Sequence, residues 1–287
     1  MGDPGNPSGN PRNGVGDPGN PSGNPRYGFS GGYVGAPARP TFTGPAVATL
    51  PGARDDITGG GVALLGFFGA LALSLIGASL AQVAGARPLT VPNLVISQAG
   101  LWTGLCLAAS VATHRRRGGT IADLGFRAPT PTELGIGIAA GIAGIMAASR
   151  VEFVLRSLFP DNGSPHFFVS GTPSFALVLV VGVFACVGAP IVEELFFRGL
   201  VQTVLMRNLG TAPAIVVQAV LFGLAHFQLG MTFDQAAVRC GTVMVLGLIN
   251  GCLRVHTGRL SAGMVAHATY NTIVTVITLV TITGMVR

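Results

Sequence analysis

The sequence predicts an all-α fold: a polytopic membrane helix bundle of about seven transmembrane helices, with six to eight admitted, preceded by a disordered tail. Three observations carry this reading. Apolar residues make up 49% of the 287-residue chain against 10% charged, and the mean hydropathy is +0.60, outside the usual range of soluble domains. Apolar stretches of about 20 residues, enough to cross a bilayer, recur from Gly61 onward. The segment before them has a different composition altogether.

In that segment Gly2-Asp-Pro-Gly-Asn-Pro-Ser-Gly-Asn-Pro-Arg12 recurs letter for letter as Gly16 to Arg26. So much Pro, Gly and Asn leaves almost nothing apolar to bury, which predicts a solvated, disordered tail over residues 1–58. It lacks the basic region and apolar core of a signal peptide. Two copies without helix or strand pattern do not build a solenoid. The expected division is the tail at 1–58, two N-terminal helices and a basic loop at 59–130, and a catalytic-type core at 131–287.

The apolar segments lie near 61–84, 92–113, 134–156, 174–206, 211–230, 236–254 and 261–285. His114-Arg115-Arg116-Arg117 follows the second, Arg207 the fourth, and Arg254 with Arg259 the sixth. Placing these on one face satisfies the positive-inside rule, with the N-terminal tail cytoplasmic and the C-terminus outside. Gly137 and Gly141 in the third segment form a small-xxx-small face that admits close approach of another helix. Every basic side chain counted in the formal charge of +6 is an arginine, mostly in loops and tail. No compact basic surface results, and nucleic-acid binding is not indicated. Cys106, Cys186, Cys240 and Cys252 stand singly, without a CxxC pair, and read as buried thiols.

Against this apolar background, Pro190-Ile-Val-Glu193-Glu194-Leu-Phe-Phe-Arg198 puts two carboxylates and an arginine at membrane depth, where ionisable groups are costly and mark function. The spacing of Glu194 and Arg198 suits an ion pair on one helix face, leaving Glu193 to point elsewhere. Pro190 frees a backbone carbonyl one turn earlier. The Asn208-Leu209-Gly210 turn serves as a ruler: Glu193 lies 16 residues before Leu209 and His226 17 after it. The two should therefore reach the same depth on antiparallel neighbours, roughly 25 Å from the turn. His267 is expected only about 10 Å beyond its preceding loop, which requires that loop to dip inward or the earlier turn to project. Phe222 precedes His226 by one turn, as an apolar platform, and Asn271 follows His267 by one turn.

A glutamate without a cation in low dielectric can act as a base near neutrality. Glu193 could so activate water toward a peptide carbonyl, with His267 and Asn271 stabilising the oxyanion and His226 orienting the water. Glu193, His226 and His267 are equally a legitimate zinc set with water as fourth ligand, so zinc stays open as a cofactor. Taken singly, the Glu194–Arg198 pair, His226, and the His267–Asn271 pair each have a structural reading as membrane-edge ion pair or interhelical glue. Their joint occurrence favours a site. His-Glu-x-x-His is absent, and Gly14-Val-Gly-Asp17 and Gly28-Phe-Ser-Gly31 fall in the Pro/Gly-rich tail rather than in an apolar segment, so the usual zincin, aspartyl and serine intramembrane chemistries have no signature at membrane depth. The alternative class is a non-catalytic scaffold, or a proton-coupled transporter using the same Glu and His residues.

Glu193-Glu194-Leu-Phe-Phe-Arg198, Phe222-Gly-Leu-Ala-His226 and His267-Ala-Thr-Tyr-Asn271 resemble the EExxxR, FxxxH and HxxxN motifs of the CPBP intramembrane proteases, which include the type II CAAX prenyl endopeptidases. The resemblance covers about Pro131 to Val280; the tail and first two helices contribute nothing to it. It implies a peptide-bond hydrolase in which Glu193 is the water-activating base, His226 completes its site, His267 and Asn271 hold the oxyanion, and Glu194 and Arg198 support. Both a metal-dependent and a metal-free glutamate–histidine mechanism are argued for this family. The implied partners are the lipid bilayer and a protein or peptide substrate, lipidated in the CAAX case; the implied location is a bacterial plasma membrane.

Overall fold

The computed structural model of the chain describes Met1 and residues 56–86, 90–114, 119–159, 175–228 and 231–284. The duplicated tail, the Arg115–Arg117 run and residues 160–174 between the third and fourth apolar segments lie outside these residues. The described helices all fall in one compact unit, Thr43–Arg287.

Seven helices are present among the described residues: α1 (Asp56–Val83), α2 (Val91–His114), α3 (Pro131–Leu158), α4 (Phe175–Leu209), α5 (Thr211–Leu224), α6 (Phe233–Thr257) and α7 (Ser261–Ile282). There is no strand among those residues. Six of the seven are long and apolar enough to cross a membrane, and the protein is an integral membrane protein. The exception is α5. Its 14 residues span only about 21 Å, short of a hydrocarbon core of about 30 Å. The sequence expectation carried this segment on to residue 230, whereas the helix stops at Leu224. The His226 ring supplies the reason: its Nδ1 meets the Phe222 carbonyl at 2.8 Å, satisfying an acceptor that the helix end leaves open, and the backbone tightens as His226 N–H bonds Gly223 O at 3.0 Å.

Local sequence sets the other boundaries. Thr130 and Glu133 cap α3 reciprocally, with Pro131 in the first turn, and Thr232 with Gln235 does the same for α6, which ends at left-handed Gly258; such capping boxes satisfy otherwise orphaned amides. Packing in lipid has little hydrophobic drive, so small residues decide which helices touch. A Cβ on Gly137 would lie 2.6 Å from Val265, and one on Gly141 would lie 2.7 Å from the Ala266 carbonyl, so these two glycines seat α3 directly on α7.

The α4 helix is about 52 Å long by its 35 residues, and it is not uniform. Phe184–Gly188 and Glu194–Val201 are wound as wider π turns, a local irregularity that often accompanies function. The first of these precedes Pro190. Ala189 N–H bonds back to Phe184 O and Pro190 has no N–H to give, so the Ala185 carbonyl has no partner in its own helix.

The depth of α7 follows from the loop before it. Leu260, only 1% exposed, donates its backbone N–H to Gly125 O at 2.9 Å and packs toward Gly199. Ser261 Oγ donates to Glu133 Oε1 at 2.9 Å, and Arg259 Nε pairs with the same oxygen at 2.9 Å. The loop therefore dips inward, and α4 runs about 15 Å past the level of Gly199 before it turns.

Candidate active site

The α4–α5 hairpin obeys the depth ruler. Phe197 and Phe222, equidistant from the turn, meet with ring centroids 5.1 Å apart. One turn further in along the two arms of the hairpin stand Glu193 and His226. His226 stands in the turn just past α5, and Arg239 Nε of α6 donates to its backbone carbonyl at 3.0 Å.

The two adjacent glutamates have contrasting surroundings. Glu194 is sealed: its side chain is 1% exposed, and Oε1 pairs with Arg198 Nη1 at 2.9 Å, accepts from Asn250 Nδ2 at 2.8 Å and from His267 Nδ1 at 3.1 Å. Arg198 is buried as well, with Nη2 donating to Gly247 O at 3.3 Å and the guanidinium 4.2 Å from the centroid of the Phe222 ring, an added cation–π attraction. Glu193, 15% exposed, has its Oε2 3.9 Å from His267 Nε2, beyond hydrogen-bond reach. That oxygen has no hydrogen-bond partner. One oxygen of Glu194 is thus held by an ion pair and two hydrogen bonds, and Glu193 is available.

The imidazole tautomers follow from their acceptors. A carboxylate can only accept, so His267 carries its proton on Nδ1 toward Glu194 and turns Nε2 toward Glu193. A carbonyl can only accept, so His226 carries its proton on Nδ1 toward Phe222 O and keeps Nε2 for the site. Phe222 walls both rings, edge-on, at 4.9 Å from His226 and 5.8 Å from His267.

Asn271 stands apart from this cluster. Its Nδ2 donates to Ala185 O at 2.6 Å, the carbonyl that the π turn and Pro190 leave open. One amide N–H therefore repairs α4, and one remains. Asn250, absent from the sequence reading, is fully buried and joins the cluster in its place. Its only signal in the sequence is an amide inside an otherwise apolar helix, which by itself reads as interhelical glue. Gln202 and Gln218 were missed for the same reason; they donate to the carbonyls of Gly251 at 3.0 Å and Gly247 at 2.8 Å.

A zinc ion would need Glu193, His226 and His267, or a comparable trio, converging on one point about 2 Å from each donor. Among the described residues no group of three His, Cys, Asp or Glu side chains could hold a metal ion. The Nδ1 bonds of His267 and His226 leave both Nε2 atoms free, which is compatible with ligation, but the side chains do not converge on one point as they stand, and the chemistry proposed below uses carboxylate and imidazole alone.

No curated protein and no solved structure matches the chain. Residues 175–273, which contain all three motifs, match the family model described as type II CAAX prenyl endopeptidase Rce1-like. This is a narrower span than the expected 131–280, and it begins at α4. The contrasted glutamates and both imidazoles lie inside this span, so the part of the chain that carries the site is similar to the Rce1-like type II CAAX prenyl endopeptidases, which are CAAX-type intramembrane proteases.

Proposed function

We propose that the protein is an endopeptidase that hydrolyses a peptide bond within the membrane, using a water activated by Glu193. The observation that carries this reading is the bare Oε2 of Glu193, 3.9 Å from His267 Nε2, beside a glutamate whose Oε1 is tied to Arg198, Asn250 and His267. A gap of that size between two polar atoms suits a bridging water. Glu193 takes a proton from the water as its oxygen attacks the carbonyl carbon, and the amide C–O π electrons move to oxygen. His226, through Nε2, orients the same water. The oxyanion is met by the second N–H of Asn271, while Nε2 of His267, left without a proton in the Nδ1–H tautomer, helps hold the water beside Glu193. Glu193 then returns its proton to the leaving nitrogen as the C–N bond breaks, yielding a carboxylic acid and an amine.

Glu194 and Arg198 serve this chemistry by holding His267 in its Nδ1–H tautomer. The substrate in this reading is a protein segment that enters the bundle from the bilayer, with lipidated CAAX-type C-termini as the first class to try. The membrane in question is taken as a bacterial plasma membrane with the N-terminal tail cytoplasmic.

The test compares wild type, Glu193→Gln and His226→Ala in detergent and in lipid, against a peptide library with farnesylated and unmodified C-termini, with and without chelator. Cleavage by wild type that is lost in both variants supports the proposal. Cleavage retained by folded Glu193→Gln refutes the assigned base. Proton flux through reconstituted wild type without cleavage would favour the transporter reading.

A further inference from the structure

We infer that Asn250 is a positioning residue for the hydrolysis, holding Glu194 so that His267 presents Nε2 to Glu193; the inference rests on the hydrolase reading above. Asn250 lies 56 residues from Glu194 in sequence, on α6, and its Nδ2 is 2.8 Å from Glu194 Oε1. A carboxylate accepts and never donates, so the amide nitrogen must be the group that faces it. The same oxygen takes His267 Nδ1 at 3.1 Å and Arg198 Nη1 at 2.9 Å. An ion pair from α4 and hydrogen bonds from α6 and α7 thus meet on one atom.

Each donor fixes a different freedom. Arg198 shares a helix with Glu194 and supplies the charge. It cannot set how far the carboxylate leans toward α7, because it moves with α4. Asn250 comes from a second helix and pins the oxygen in the plane in which His267 finds it. The fit is built from a third helix as well: a Cβ on Gly263 of α7 would lie 3.2 Å from Glu194 Oε2 and 3.7 Å from Asn250 Cβ, so glycine there lets α7 close over the pair.

An amide that served only as glue between α4 and α6 would contribute little to stability in a membrane protein, and its loss would not change which nitrogen of a histidine carries a proton. A positioning role makes that further demand. The charged and titratable groups around Glu194 are Arg198 and Glu193 on its own helix, His226 after α5, and His267 on α7; α6 contributes the neutral Asn250.

The experiment uses the full chain in lipid nanodiscs with Asn250→Leu, which removes the donor at similar size, and Asn250→Asp, which must bind a proton before it can donate. For each, kcat, KM and the pH profile are measured on a substrate cleaved by wild type, and the ring 15N shifts of His267 are recorded on histidine-labelled protein. The expected result for Asn250→Leu is a fall in kcat of roughly 10- to 100-fold with KM little changed, together with loss of the pure Nδ1–H signature of His267. Asn250→Asp should recover activity toward acid pH, where wild type does not. Unchanged kcat, pH profile and ring shifts in folded Asn250→Leu would overturn the inference. Should that variant fail to fold, Asn250→Asp decides by the same ring shifts and profile. If wild type cleaves nothing, the hydrolase reading fails by itself, while a shifted His267 spectrum still upholds the coupling and an unshifted one removes it.

Discussion

Glu193 and Glu194 are neighbours in sequence, and their replacement by glutamine is expected to have opposite consequences. Glutamine at 194 keeps the shape and the acceptor oxygen for Asn250 and His267, but it removes the negative charge that sits 2.9 Å from Arg198 with both side chains at most 1% exposed. Arg198 is left with a carbonyl at 3.3 Å and the Phe222 face, contacts it already had. An uncompensated buried cation of this kind costs about 3–5 kcal/mol, a shift in the folding equilibrium of roughly 100-fold or more. Glu193→Gln removes the charge of a carboxylate whose Oε2 has no hydrogen-bond partner, so its stability should stay within about 1 kcal/mol of wild type, while the proposed loss of the base lowers cleavage by roughly 10²- to 10⁴-fold. The assay is a denaturing-detergent titration in mixed micelles, followed through Trp102, the single tryptophan, alongside peptide cleavage. A Glu194→Gln midpoint that coincides with wild type, or a Glu193→Gln variant that is the one to unfold, would refute this division of labour.

Other consequences concern the frame of the site. Asn271→Leu leaves the Ala185 carbonyl unmatched and should destabilise the fold by about 1–3 kcal/mol; adding Pro190→Ala returns an N–H to the turn, and the double variant should regain part of that loss in the same titration. Gly188→Ala would drive a methyl into the Trp102 ring, with an expected cost of about 1–3 kcal/mol and a change in Trp102 emission, both relieved in Gly188→Ala/Trp102→Phe if that overlap is the cause. Wild-type cleavage should persist in excess chelator; loss of cleavage that zinc alone restores would show that Glu193, His226 and His267 rearrange around a metal.

The parts of this site that were legible in the sequence are those written at short range. The Glu194–Arg198 pair is an i,i+4 relation on one helix, and the Phe222–His226 pair is another. The matching depth of Glu193 and His226 follows from a single tight turn and a constant rise per residue. What could not be read depends on contacts between distant segments. Asn250 finds Glu194 across 56 residues, and nothing in the spacing of either reveals it. The shortness of α5 depended on a side chain, since the His226 ring takes over the Phe222 carbonyl where apolar composition alone would have carried the helix on to residue 230. The freed carbonyl before Pro190 was foreseeable; that Asn271 would fill it was not, because HxxxN spacing places Asn271 beside His267 without saying which of its two amide hydrogens is already engaged.

The family match begins at α4, yet the glutamate-bearing helix does not position itself. Trp102 of α2 lies against Gly188 so closely that a side chain there would overlap it, five residues before Glu193 and within the turn that opens Ala185 O. Phe67 of α1 stacks on Phe196 at 6.2 Å, on the flank of the π-wound segment that carries Glu194 and Arg198. From the other side, Glu133 of α3 takes Ser261 and Arg259, which brings the start of α7, and with it His267, inward to the level of the glutamates. The wide turns cost α4 backbone hydrogen bonds and regularity, and they persist because neighbouring helices over-determine them. Helices that supply none of the three motifs therefore set the geometry on which those motifs depend.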